Sequence, residues 1–296
     1  MEWQQLEYFQ TLARLQHVTR AAETLSITQP ALSKSIARLE EDIGAPLFER
    51  RGRSIKINRY GQIFLSHVDR ILKEFDRANK EIHDLIHPEH GEVAIGFTHT
   101  LSGLIPDLIS AFRVQFPMIR LQLNQNYSYP LLDKLFSGDL DICLIPEPAE
   151  PQIPIQWMPL WTEELYITLS ADHPLAGAES IQLDEIINES FIFFKTGFTI
   201  RETTDRLFHQ TGVSPNVAFE GEEVTTVAGL VAAGLGVSIL PDTGLDNRKI
   251  VQIRLSEPRC QRVIGMASIE GQYESPVTSR FKKFVSEQYA PRMEKV

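Results

Sequence analysis

Gln29, Ser33, Lys34 and Arg38 are spaced four, one and four residues apart. On a helix that spacing puts them on or beside one outward face. Such side chains suit base-pair edges. The Gln29 amide can pair with an adenine edge, and the Lys34 ammonium can reach guanine acceptors. Thr28, Ser33 and Ser35 carry hydroxyls of the kind that hold phosphate oxygens, and Thr19 and Pro30 complete the candidate surface. Further on, "ERRGRSIKINR" (Glu49 to Arg59) gathers Arg50, Arg51 and Arg53, a basic edge for a phosphate backbone or a minor groove.

A second set of polar residues sits where strand patterns give way to helix patterns. "GFTHTLSG" supplies Thr98, His99, Thr100 and Ser102, and "KTGFTIRE" supplies Thr196, Phe198 and Thr199. Backbone N–H groups at a helix start favour an anion. Tyr127 and Ser128 follow the next strand pattern, and Pro146 follows a third. These residues are the candidates for holding a small molecule, and a small carboxylate fits donors of this type. The competing reading is that the hydroxyls only cap helices.

Catalytic and metal chemistry find little support. There is no G-x-S-x-G motif, and no pair of carboxylates stands out as acid and base. His87 and His90 lack the further ligands that a metal site needs. Cys143 and Cys260 lie far apart in apolar or strand-like surroundings, which suits free buried thiols. "GLVAAGLGVSIL" is glycine-rich, but its glycines close a helix and start a strand, the reverse of a phosphate-binding loop. No cofactor is expected.

The elements that must position these residues are legible. Leu6, Phe9, Leu12 and Ala13 mark one face of a first helix. Thr19 is the expected cap of a short second helix, and Thr28 caps a third in which Leu32, Ile36 and Leu39 face a core. "SIT" between them makes a helix-turn-helix break. Gly44 ends the third helix, and two short strands flank Arg51-Gly52-Arg53. From Asn58 to Pro88, Gly61, Phe64, Val68, Ile71, Phe75, Ala78, Ile82 and Leu85 recur at alternating steps of three and four. That seven-residue stripe suits a dimerisation seam between two helices. "HPEHGE" reads as a hinge, after which strands and helices alternate as in βαβ units. The expected division is a DNA-binding domain at 1–58, a linker helix and hinge at 59–90, and a ligand-binding domain at 91–296. Within the last, lobe I is about 91–161 with 267–296, and lobe II about 162–266.

Charge supports the division. Residues 1–60 hold nine Lys or Arg against seven Asp or Glu, a balance of +2, and the remainder holds 20 against 32, a balance of −12. A locally basic head on an acidic body is expected of a protein that binds nucleic acid through one end. No apolar run reaches membrane-spanning length, and "MEWQQLEYFQ" lacks the basic flank and apolar stretch of a signal peptide, so a cytoplasmic protein with no membrane partner is expected.

"AAETLSITQPALSKSIARLEEDIGAPLFERRGRSIKIN" resembles the N-terminal signature of the LysR-type transcriptional regulators. The layout of the whole chain resembles that family too: a winged helix-turn-helix, a long linker helix, and a two-lobed α/β effector domain like periplasmic binding proteins. The resemblance implies a regulator that binds double-stranded promoter DNA and responds to a small-molecule effector in the cleft between lobes. It also implies a homodimer, or a homotetramer built from dimers. Ligand closure of the lobes would then alter the angle between paired linker helices, and so the spacing of the heads on DNA. Lys34 departs from the arginine common at that place, which keeps charge but loses the flat two-pronged donor. The alternative is a metabolite-acting enzyme with an appended DNA-binding head.

Overall fold

The computed structural model describes residues 1–51, 54–87, 90–149, 153–242, 244 and 249–289, without the side chains of Arg50, Arg51, Ser54 and Lys80. It divides into two compact units, Met1–Ile86 and His87–Val296.

The first unit begins with α1 (Trp3–Leu15), α2 (Val18–Thr24) and α3 (Gln29–Ile43). Ala21 and Ala22 are buried, so two small side chains let α2 approach its neighbours closely. Phe9 is fully buried, with its ring centroid 5.5 Å from that of Phe48 and 5.1 Å from that of Phe64. One expectation fails here. The cap of α2 is His17, whose Nδ1 accepts from the Arg20 amide at 3.3 Å, and Thr19 lies inside the first turn. The chain enters α2 two residues earlier than its threonine suggests, because a histidine nitrogen can also accept from that turn. Thr28 caps α3 as expected, accepting from Ala31 at 3.4 Å, and Gly44 ends it at φ 78°, a left-handed conformation that favours glycine.

A hairpin follows, β1 (Phe48–Arg51) and β2 (Ser54–Ile57), paired antiparallel. The Glu40 carboxylate fixes its approach by accepting from the amides of Leu47 at 2.7 Å and Phe48 at 3.1 Å. Asn58 then caps α4 (Arg59–Ile86), accepting from Gly61 N at 2.9 Å. The heptad stripe divides along this helix. Phe64, Val68 and Leu72 pack into the core of their own unit, with Val68 fully buried. Val68 is therefore not available to a partner helix, and Phe64 is only partly so. Steps of four drift around a helix relative to a seven-residue repeat, so the contact with α1 winds off the stripe. Further on, Ala78 is exposed, and Ile71, Phe75, Ile82 and Leu85 remain 46%, 49%, 58% and 71% exposed.

The second unit is α/β. Its first part contains β3 (Gly91–Thr98), a 3-10 turn at His99–Leu101, α5 (Ile105–Gln115), β4 (Ile119–Asn126), α6 (Ser128–Phe136), β5 (Ile142–Pro146) and β6 (Ile155–Ser170). Next come β7 (Ser180–Ile181), a 3-10 turn at Leu183–Ile186, β8 (Ser190–Phe194), α7 (Thr199–Thr211), β9 (Asn216–Gly221), α8 (Val224–Ala232) and β10 (Ser238–Pro241). The unit closes with β11 (Ile250–Leu255), β12 (Gln261–Ile269) and α9 (Pro276–Tyr289). Strands run in the order β4-β3-β5-β12-β6-β11-β7, with β10 also on β6 and a separate parallel pair β8-β9. β3 is parallel to β4 and β5, so helices must return over the sheet.

Two lobes share the long strand β6. Ile155–Glu164 pairs with β12, and Leu165–Ser170 pairs with β10 and β11. β12 also pairs with β5, which places residues 261–269 in the first lobe. The return to lobe I therefore comes before β12, not at residue 267. Each lobe has its own aromatic core. In the first, Phe112 meets Phe281 and Phe284 at 4.9 and 5.3 Å, and in the second, Phe208 meets Phe191 and Phe193 at 5.1 and 5.6 Å. Among the described residues, no helix is long and apolar enough to cross a membrane.

Candidate functional site

The first candidate surface is the outer side of α3. Leu32, Ile36 and Leu39 anchor the helix, and at about 100° per residue Pro30, Lys34 and Arg38 fall on the opposite side. Gln29, Pro30, Ser33, Lys34 and Arg38 are all exposed, and Gln29 stands at the helix start. Arg38 lies 3.4 Å from Glu2 in an exposed ion pair, of the kind whose net worth is small, so a phosphate can take its place. Ser35 is only half-exposed, and its carbonyl accepts from the Gln5 side chain at 3.5 Å, on the side turned toward α1. Thr28 is occupied as a cap, and Thr19 is exposed on α2. Arg50 and Arg51 belong to β1, but their side chains and the whole of Arg53 lie outside the described residues.

The second site is a small cavity where the carboxyl ends of strands meet helix starts from both lobes. Its lining includes Thr98, His99, Thr100, Tyr127 and Ser128 from lobe I, and Phe198 and Thr199 from lobe II. Seven of the ten expected residues are thus brought together. β3 ends at Thr98, β4 runs into α6 at Tyr127, and β8 leads through a turn into α7 at Phe198. Neither N-cap side chain, Tyr127 or Phe198, accepts a hydrogen bond from its helix's first turn. The two helix starts face each other closely enough for Ser128 Oγ and Thr199 Oγ1, both buried, to lie 3.4 Å apart.

Aromatic and ionic contacts close the rest of the cleft. His99 stacks on Tyr127 at 4.9 Å, and the Phe198 ring meets Tyr127 edge-on at 4.3 Å. Glu223, in front of α8, accepts from the Tyr127 hydroxyl at 3.4 Å and lies 3.2 Å from His99 Nδ1. The Tyr129 hydroxyl donates to Glu202 at 2.8 Å. Burial, with Glu223 and Glu222 nearby, pushes the Tyr127 phenol above its ordinary value, because its anion would be poorly solvated beside two carboxylates.

Ser102 lines a larger adjoining cavity of about 680 Å³, which shares His99, Thr100 and Val224 with the smaller one. Pro146 and Thr196 line neither cavity. Pro146 is buried in register with Ile264, so β12 covers the end of β5. Thr196 is exposed in the turn before α7.

Sequence reasoning missed Phe194, Ile200, Glu222, Val224 and Arg262 in the small cavity, and Gln125, Trp161, Glu163, Glu223 and Asp242 in the large one. Phe194 ends a parallel strand and Glu222 precedes a helix, so the rule that found Thr98 reaches them too. Arg262 gives a different signal: an arginine opening the apolar stretch "RVIGMAS", facing the adjacent Glu163 and Glu164 of another strand. It is 6% exposed, donates from Nε to Glu163 at 2.5 Å and donates from an Nη to Thr100 Oγ1 at 3.0 Å. Arg201 turns away from the cleft, donating to Asp205, Glu220 and the Phe194 carbonyl.

Comparison with known proteins adds four findings. Residues 3–62 match the family model "Bacterial regulatory helix-turn-helix protein, lysR family", and residues 87–290 match "LysR substrate binding domain". A Bacillus subtilis protein described as "Uncharacterized HTH-type transcriptional regulator YybE" is 57% identical over 287 residues, covering 96% of this chain and 98% of that one. The crystal structure of full-length CbnR complexed with its target DNA is similar at a TM-score of 0.76 and 23% identity, covering 97% of this chain and 99% of that one. The effector-binding domain of QuiR in complex with shikimate is similar at a TM-score of 0.65 and 26% identity, covering 69% of this chain and 99% of that one.

Proposed function

The chain belongs to the LysR family of transcriptional regulators, and on that premise we propose that it binds promoter DNA as a dimer of heads under the control of a small carboxylate. The carboxylate is held in the small cavity between the lobes. The observation that carries this reading is the meeting of α6 and α7. Two helix starts, neither capped by a side chain, face one cavity from opposite lobes. First-turn N–H groups and the positive ends of two helix dipoles favour an anion there. The solved likeness of the QuiR domain holds shikimate, a hydroxylated carboxylate, which supports the same class for this chain. In the head, Gln29 and Lys34 read bases in the major groove, while Ser33, Arg38 and the arginines Arg50, Arg51 and Arg53 hold the backbone. Thr19, Thr28, Pro30 and Ser35 shape and flank that surface. The exposed part of the α4 stripe pairs two chains.

A ligand that binds the closed cleft more tightly than the open one shifts the population of lobe arrangements, and the regulator transmits that shift to DNA. The test is binding of the full chain to DNA from upstream of its own gene, across a salt series, with and without a panel of small carboxylates. Preference for that fragment over unrelated DNA is expected, together with a change in affinity or footprint caused by at least one acid. Gln29→Ala should narrow the preference by roughly 1–3 kcal/mol per lost base contact. A protein with no fragment preference at low salt, or with DNA binding indifferent to every acid, would refute the proposal.

A further inference from the structure

We propose that Arg262 is the residue that recognises the carboxylate of the ligand and sets the specificity of the small cavity. This deepens the reading of the cavity as an anion site and rests on it. The argument starts from an ion pair that spans two chambers. The Arg262 guanidinium lines the small cavity, whereas its partner Glu163 lines the large one and not the small one. The pair comes from adjacent positions on antiparallel strands, Arg262 on β12 opposite Glu163 on β6, so the sheet holds both in place. Strand register also decides which chamber each charge meets.

The consequence is an electrical difference between the chambers. Among the described residues, Glu163, Glu223 and Asp242 line the large one and no lysine or arginine does. The small one has Arg262 on its wall, with the starts of α6 and α7 facing it. Glu222, the carboxylate that lines the small chamber, lies 2.5 Å from Lys195 and is already neutralised by it. An arginine fork has five N–H donors. Nε is used on Glu163 and one Nη hydrogen on Thr100, which leaves donor capacity for a second carboxylate. Thr100 fixes the rotation of the fork, because its hydroxyl accepts from the Nη and lies 3.2 Å from Thr98 Oγ1. The Arg262 side chain is 4% exposed, so its unused N–H donors meet a ligand oxygen with little competition from water. A primary amide of the same shape still accepts one hydrogen bond through its carbonyl, but brings no negative charge and no second acceptor oxygen.

The experiment compares acids with their primary amides, for example benzoate with benzamide and succinate with succinamide, by calorimetry and thermal shift on the full chain. Wild-type protein is set beside Arg262→Lys and the double variant Arg262→Gln with Glu163→Gln. The double change removes both charges together, so no buried carboxylate is stranded, and circular dichroism checks that it folds. We expect wild type to bind an acid of the panel and to reject its amide. The double variant should lose roughly ten- to a hundredfold in affinity for the acid, the scale of a hydrogen bond to a charged group, and should no longer separate acid from amide. Arg262→Lys should retain part of the preference. A folded double variant that keeps the acid affinity of wild type overturns the assignment of Arg262 and leaves the anion cavity standing. Wild type that binds amides as tightly as acids, or binds none of the panel, overturns the carboxylate reading itself.

Discussion

If the α4 stripe divides as its burial indicates, changes at its two ends should have opposite consequences. Ile82 is 58% exposed in the single chain. Fully burying an isoleucine is worth about 1.5–3 kcal/mol, so covering the exposed part of Ile82 contributes about 1–1.7 kcal/mol. In a two-fold symmetric dimer the residue counts twice, which makes it about 2–3.5 kcal/mol per dimer. Ile82→Glu removes that contribution and places a charge in the seam. The dimer dissociation constant should rise at least about 30- to 300-fold. The melting of the head should barely move, because an exposed side chain contributes little to it. Val68→Ala should do the reverse. It removes two buried methyl groups from the head's own core, at a cost of about 2 kcal/mol in folding, with the dimer constant nearly unchanged while the head stays folded. Sedimentation velocity over a concentration series, paired with urea denaturation of the same samples, reads both quantities. Equal dimerisation of wild type and Ile82→Glu would refute the seam. A Val68→Ala protein with weakened pairing and an intact head would refute the division of the stripe.

Two further outcomes follow from local geometry. At Gly61 an added Cβ would stand 2.2 Å from the Leu47 carbonyl oxygen and 2.6 Å from Ile57 Cγ1. Gly61→Ala should therefore destabilise the head by roughly 1–3 kcal/mol despite alanine's better helix propensity, and a variant that melts like wild type would show that the hairpin yields. At alkaline pH the second unit should weaken through its thiols. Burial pushes the Cys260 thiol up to about 12 and raises Cys143 as well. A group whose folded pKa is raised gives its stability in full below the ordinary thiol pKa of about 8.5, and that stability is lost as pH rises toward the folded value. Urea midpoints should fall between about pH 9 and 12 less steeply in Cys260→Ala than in wild type, and parallel slopes would remove the thiol from the account.

The parts of the molecule legible in the sequence are those where local chemistry and tertiary demand agree. Thr28 and Gly44 declare helix ends because a side chain or backbone freedom acts within a few residues, and the structure uses each as expected. The cavity loops were legible for a similar reason. In a parallel sheet, a polar residue between a strand and the following helix has few places to point other than the carboxyl edge, and Thr98, Tyr127 and Thr199 obey that rule. Pro146 satisfies the same local rule and misses the cavity. The antiparallel partner that covers it, Ile264, is 118 positions further along the chain, and no local pattern encodes such a neighbour.

The stripe on α4 and Arg262 fail for a common reason, and it points to what sequence reading lacks. Both are periodic or compositional signals whose meaning is assigned by a partner element. A heptad repeat states that a helix has one apolar face, but not which body covers each turn, and here α1 takes Phe64 and Val68 first. A charged residue at the edge of an apolar strand states that some compensation exists. Glu163 supplies it from a strand that ends 92 positions earlier in the chain than Arg262. The register of β6 against β12 then divides the pair between two chambers, an outcome that a shift of a single residue would abolish by turning one partner to the other face of the sheet. The residues that decide what the cleft accepts are thus set by sheet register, while those that form its mouth are set by local turns. A change of ligand class within such a fold is therefore reached at positions like 262 and 163, whose side chains strand register presents to the two chambers.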